Sequence, residues 1–116
     1  VARRDTGEKS PVQVEQIEAA VLPMLSAIQD ALYAASRKRL TDQSYRIDSY
    51  DEFKKMIDNG GFFYMPWCGD AACEEQIKVD TKATIRCIPF SENPEEGTCV
   101  KCSKPSHQRV VFAKAY

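Results

Sequence analysis

Phe62-Phe63-Tyr64-Met65-Pro66-Trp67-Cys68-Gly69-Asp70-Ala71-Ala72-Cys73 packs a strand, a turn and a helix start into one short stretch. The unbroken run Phe62–Met65 predicts a strand covered on both faces. Asp70 precedes an Ala-rich segment and is a predicted N-cap, so Cys73 falls in the first turn of the helix that follows. A second cysteine pair stands in Thr98-Cys99-Val100-Lys101-Cys102. Two closely spaced pairs, each on its own turn and separated by a strand-like stretch, are what a tetrahedral four-thiolate zinc site needs. Gly69 and Gly97 beside the ligands fit the tight turns.

Other readings of these thiols stand beside the zinc reading. A disulfide framework suits a small secreted chain, but no signal peptide is expected here and five cysteines leave one unpaired. A redox couple needs an exposed thiol above a helix, whereas Cys99 and Cys102 lie in a turn-rich segment. Iron in a rubredoxin-like electron carrier is a further alternative; it favours two C-x-x-C knuckles, and the spacing of Cys68 and Cys73 is longer. With four thiolates available, His107 is not needed as a ligand. Cys87, between Ile85 and Ile88, reads as a buried apolar residue of a strand. Trp67 reads as a lid on the site or as core.

Working outward, Thr84 to Pro89 reads as a strand, Ser91 to Gln108 as a loop carrying the second pair, and Arg109 to Tyr116 as a terminal strand. Upstream, Ser49-Tyr50-Asp51-Glu52 is a capping box opening a helix with Phe53, Met56 and Ile57 on one face. Asn59-Gly60-Gly61 closes that helix, and a short strand precedes it at Tyr45 to Asp48. Farther back, Ser10-Pro11-Val12-Gln13 offers another cap, with Pro11 at the first helical position. Val14, Ile17, Val21, Met24, Leu25, Ile28, Leu32 and Ala35 then recur at helical spacing through Arg39. Pro23 predicts a kink or break near Leu22. Arg37, Lys38 and Arg39 read as a solvated helix end rather than an RNA-binding cluster. The pattern is an α+β fold: an N-terminal linker helix, then a β-α-β-α-β-β sandwich with a small mixed sheet and a four-cysteine zinc knuckle.

The chain has 116 residues, a formal net charge of -1 and 43% hydrophobic residues. That allows a modest core, which a structural metal would reinforce. With a sequence pI near 5.9, nothing global demands a nucleic-acid partner. No apolar run spans a bilayer, and no membrane partner is expected. Reduced, metal-binding cysteines fit a cytoplasmic protein. The opening Val1-Ala2-Arg3-Arg4 lacks an initiator Met and reads as part of something longer.

Three stretches resemble one family. Ala2-Arg3-Arg4-Asp5-Thr6-Gly7-Glu8-Lys9 is similar to the end of the anticodon-binding domain of archaeal/eukaryotic-type prolyl-tRNA synthetases. Gly61-Phe62 through Trp67-Cys68-Gly69-Asp70 to Cys73-Glu74, with Thr84-Ile85-Arg86-Cys87-Ile88-Pro89-Phe90, resembles their C-terminal zinc-binding domain. Gly97-Thr98-Cys99-Val100-Lys101-Cys102 and Phe112-Ala113-Lys114-Ala115-Tyr116 resemble their extreme C-terminus. The resemblance covers nearly the whole chain, least well residues 12 to 48.

It implies three parts: residues 1–9 as the end of the anticodon-binding domain, 10–42 as a linker-helix region, and 43–116 as the zinc-binding domain. It implies a class II parent, usually a homodimer, that uses ATP with Mg to join proline to tRNA(Pro). No class II signature motif occurs in these residues, so the fragment alone is expected to be architectural and inactive. The resemblance carries the metal ligands to Cys68, Cys73, Cys99 and Cys102, in agreement with the spacing. The closed shell makes zinc structural, with Lys101 and Lys104 near enough in sequence to offset the thiolate charge. It also implies that the end of the chain, Tyr116, can fold back toward the catalytic pocket. Arg3 and Arg4 are expected to end a strand rather than touch RNA. A stand-alone zinc-dependent RNA-binding module is the alternative; the acidic pI and the lack of an aromatic-basic stripe speak against it.

Overall fold

The computed structural model describes residues 1–90 and 93–115. It divides into two compact units, Val1–Asp42 and Gln43–Tyr116.

In the first unit, an antiparallel bridge pairs Ala2 with Lys9. Arg3 closes it: its N–H donates to Glu8 O, its carbonyl accepts from Gly7 N–H, and its guanidinium grips Asp5 at 2.7 Å. Ser10 is drawn into this turn, its N–H bonded to Val1 O. It therefore does not cap a helix, contrary to the sequence expectation. A 3₁₀ turn at Val14–Gln16 leads instead into helix α1, Ile17–Asp42. Pro23 lies inside α1 and does not break it. Proline removes one intrahelical donor, and the many remaining bonds of a 26-residue helix carry the backbone across that gap. The helix also runs past Arg39 to Asp42, where Lys38 pairs with Asp42 one turn on.

The second unit holds strands β1 (Ser44–Arg46), β2 (Phe62–Pro66), β3 (Ala83–Cys87), β4 (Gly97–Thr98), β5 (Pro105–Ser106) and β6 (Arg109–Lys114). Helix α2 (Tyr50–Met56) continues into a 3₁₀ turn at Ile57–Asn59, and helix α3 spans Ala71–Thr81. The main sheet has the order β1-β2-β6-β3, with β1 parallel to β2 and the other pairs antiparallel. Strands β4 and β5 form a separate hairpin.

Local chemistry sets the boundaries. The Ser49 side chain accepts from Glu52 N–H to start α2, and Asp70 Oδ1 accepts from Ala72 N–H at 2.9 Å to start α3. Between α2 and β2 the chain passes through Gly60 and Gly61, both at positive φ. At Gly61 a Cβ would lie 2.8 Å from both Gln43 O and the Tyr45 ring, so only glycine fits.

One apolar cluster holds the unit together: Phe53 and Ile57 from the α2 side, Ile77 from α3, and Phe63, Met65, Ala83, Val110 and Phe112 from the sheet. Phe53 meets Phe63 edge-on at 5.2 Å, and Phe63 stacks on Tyr45 at the same distance. In β2, Phe63 and Met65 are fully buried while Phe62 is exposed and Tyr64 half-buried. The strand is thus fully covered on one face and only partly on the other, where cover grows from Phe62 through Tyr64 to the buried Pro66. Its apolar run conceals an ordinary alternation in which the outward residues are aromatic.

A bulge at the end of β3 corrects a second expectation. Ile85 pairs with Phe112, but Cys87 pairs with the adjacent Val111, leaving Arg86 as the extra residue. The bulge moves Cys87 off the face that Ala83 and Ile85 occupy, and its thiol is exposed rather than packed in the core.

Candidate metal centre

The first cysteine pair is built at the joint between β2 and α3. Cys68 follows Pro66 and Trp67 as the strand ends, and Gly69, at φ 86°, turns the chain so that Asp70 can cap α3. Cys73 then enters from the first turn of the helix and is buried. Trp67, half-buried against the core, donates its indole N–H to Asp70 O at 3.2 Å and braces this turn.

The second pair sits on the turn between β4 and β5. Cys99 N–H donates to Lys104 O and Ser103 N–H to Cys99 O, with Ser103 at positive φ closing the turn. This hairpin is docked on the first joint by backbone bonds. Val100 N–H donates to Pro66 O at 3.1 Å, and the buried Ser106 hydroxyl lies 2.8 Å from Trp67 O and 2.9 Å from Gln108 O. Val100 packs against the core. Strands of two residues leave almost no periodic trace, which is why the sequence shows this region only as a loop.

The result is convergence. The four sulfur atoms of Cys68, Cys73, Cys99 and Cys102 all lie within 4.8 Å of one another. Cys68 Sγ stands 3.7 Å from Cys73 Sγ and 3.6 Å from Cys102 Sγ. A tetrahedral zinc with about 2.3 Å bonds to sulfur separates its ligands by about 3.8 Å, so the donor set fits such an ion in both chemistry and spacing. His107 is elsewhere, its ring 2.7 Å from Glu96, and Cys87 is outside the cluster.

The four thiols are not electrostatically alike. Burial pushes the Cys73 thiol up, and contacts with the sulfurs of Cys102 and Cys68 add to it. Burial also raises Cys68, partly countered by the Asp70 backbone N–H. Burial acts against ionisation of Cys99 as well, but there the N–H groups of Cys102, Lys101 and Cys68 prevail and bring the thiol down to about 7. Lys101 and Lys104 are both paired with carboxylates, Lys101 with Asp80 at 2.6 Å and Lys104 with Asp70 at 3.6 Å.

Sequence reasoning missed Arg109. It is buried at the start of β6, and its guanidinium bonds both oxygens of Glu95, Asp48 Oδ1 at 2.6 Å and the carbonyl of Tyr64 at 3.2 Å. Arg46 reaches Glu95 too. This network ties the segment before β4 to β1 and β2, and holds Glu95 below the usual carboxylate range, chiefly through its hydrogen bonds with Arg109. The signal was an arginine opening an otherwise apolar strand, Arg109-Val110-Val111-Phe112, downstream of an acidic loop.

Among the described residues no helix is long and apolar enough to cross a membrane. Tyr116 lies outside the described residues.

A family model described as "Prolyl-tRNA synthetase, C-terminal" matches residues 50–116. Proteins named Proline--tRNA ligase match the whole chain: 41% identical over 116 residues in Oceanobacillus iheyensis, 43% over 116 in Porphyromonas gingivalis and 45% over 120 in Bacteroides fragilis. In each case the match takes in 100% of this chain and 24% of the relative. The chain thus spans about a quarter of the length of the curated relatives it matches. With its α+β sheet and clustered cysteines, the chain belongs to the prolyl-tRNA synthetase C-terminal family.

Proposed function

We propose that residues 43–116 form a structural zinc domain in which Cys68, Cys73, Cys99 and Cys102 are the four ligands. The observation that carries this is the convergence of the four sulfurs from two separate turns to within 4.8 Å. Four thiolates close the shell of a tetrahedral ion, so zinc would supply cross-linking rather than a bound water. The chain's own groups prepare the site: the Asp70 cap sets the helix turn that presents Cys73, and the N–H groups around Cys99 favour its deprotonated form.

On this reading the domain serves a prolyl-tRNA synthetase of archaeal/eukaryotic type. The parent, a cytoplasmic homodimer, would use ATP with Mg to join proline to tRNA(Pro), and this piece would support its catalytic and anticodon-binding domains. Residues 1–9 would end the anticodon-binding domain, and 10–42 would link it to the zinc domain. The carboxylate of Tyr116 would lie near the aminoacylation site. The names and full-chain coverage of the relatives support the prolyl-tRNA synthetase parent.

The test is metal content in protein purified without chelators. One zinc per chain, lost when Cys99 is replaced by serine, is the expected result; a wild-type chain without metal overturns the site. For the tail, deletion of Tyr116 in the full-length enzyme should lower proline activation or tRNA charging, and unchanged rates in both would remove it from the mechanism.

A further inference from the structure

The two cysteine pairs are mounted differently. Cys68 and Cys73 lie on the β2–α3 joint itself, whereas Cys99 and Cys102 are carried on a hairpin of two-residue strands. Such a hairpin has little stability of its own, so its sulfurs are placed by what it docks against. The bonds of Val100 and Ser106 hold its backbone, and side-chain contacts are left to brace the ligand turn. We propose that Lys101, Asp80 and Tyr50 form a latch that positions the second cysteine pair for the metal, an inference that rests on the zinc reading above.

Lys101 stands between the two ligands of the hairpin, and its ammonium lies 2.6 Å from Asp80 Oδ2 and 4.6 Å from the centre of the Tyr50 ring. The same Asp80 oxygen accepts from the Tyr50 hydroxyl at 2.8 Å, and Oδ1 accepts from Gln76 Nε2 at 2.9 Å. One carboxylate thereby joins the start of α2, the last turn of α3 and the metal-site hairpin. The side chains of Lys101 and Asp80 are 24% and 27% exposed, against 76% and 55% for the solvated Lys38–Asp42 pair. Hydrogen bonds from Lys101, Tyr50 and Gln76 hold Asp80 down to about 2, as expected of a fully engaged carboxylate.

Helix α3 therefore touches the site twice. It supplies Cys73 directly from its first turn, and through Asp80, about 10 Å farther along its axis, it grips the residue between the other two ligands. The arrangement gives Lys101 a job different from neutralising thiolate charge. Its ammonium is committed to a carboxylate that the protein surrounds with three donors.

Asp80→Asn and Lys101→Met, singly and together in the 116-residue chain, separate these roles. The measurements are the Zn²⁺ dissociation constant by competition with a chromophoric chelator, the zinc release rate, and the Co²⁺–thiolate absorption band. Each single variant should bind Zn²⁺ about tenfold more weakly and release it faster, in the range of residues that orient metal ligands. The double variant should be no worse than either single one, because losing one partner already opens the latch. The four-sulfur Co²⁺ band should persist in all three, showing that the ligands are intact. Affinity unchanged or tighter in Asp80→Asn, with a loss only in Lys101→Met, would make Lys101 a charge neutraliser and overturn the latch. Additive losses would overturn it as well. A wild-type chain that binds no Zn²⁺ sinks the zinc reading itself; a wild type that binds while the variants bind equally well sinks only the latch.

Discussion

Helices α1 and α2 both carry apolar residues at helical spacing, yet they are held in opposite ways. Helix α1 has 26 residues and buries none of them; Leu22, Leu25 and Leu32 are each more than half exposed. Helix α2 has seven residues and places Phe53 at 0% exposure. A helix as long as α1 satisfies most of its backbone internally, whereas one as short as α2 is marginal in water unless tertiary contacts fix it. The contrast teaches that periodicity marks a face without saying whether anything covers it. In α1 the energetics are local, and in the second unit they are collective.

Four perturbations test that contrast. The largest effect should come from removing the metal, by chelation or by Cys99→Ser. Structural zinc contributes on the order of 10 kcal/mol in small metal domains, and less is expected here because an apolar core stands beside the cluster. Thermal unfolding of the second unit should shift to much lower temperature, while the helical signal of α1 persists; a parallel loss of both would erase the distinction between the units.

Next, Phe53→Ala should cost about 3–5 kcal/mol in chemical denaturation, since its ring contacts Phe63, Phe112 and Tyr50. Leu25→Ala, on the exposed face of α1, should stay within about 0.5 kcal/mol. Equal costs would mean that α1 is as collectively held as the core.

Pro23→Ala sharpens the local side of the comparison. Restoring one donor should favour α1 by up to about 3 kcal/mol, read as a higher helical circular-dichroism signal, without moving the unfolding midpoint of the second unit.

The smallest effect lies at acid pH. Asp80 has its pKa lowered from 3.8 to about 2, first by its hydrogen bond with Lys101 and then by those with Tyr50 and Gln76. A lowered carboxylate stabilises the fold fully above its ordinary value and loses that contribution as pH falls toward about 2. Between those limits, wild type should lose thermal stability faster than Asp80→Asn, compared side by side so that acid release of metal affects both. Coincident acid limbs would show that the ion pair has no energetic weight.

What the sequence disclosed follows the same division between local and collective causes. The caps at Ser49 and Asp70, the glycine turn at Gly60-Gly61 and the spacing of the cysteines are local chemistry, and each is where the residues placed it. The partly covered face of β2 was hidden because Phe62 and Tyr64 are as apolar as the buried Phe63 and Met65. The bulge at Arg86 has no glycine or proline to announce it, and it reversed the side on which Cys87 lies. Ser10 had every local qualification for a cap and lost to the Ala2–Lys9 bridge. Arg109 could be understood only once Glu95, Asp48 and Tyr64 were seen around it. Local rules named the ligand candidates; long-range pairing decided which thiols share a site.

The bulge that turns Cys87 outward also makes the chain its own indicator. One thiol is open to solvent and stands apart from the four that converge. A thiol-reactive dye should therefore label a single position while the metal is bound and every cysteine once it is withdrawn and the chain unfolded. Counting modified sulfurs by mass then reports occupancy molecule by molecule, with Cys87 as the constant reference against which the other four are read.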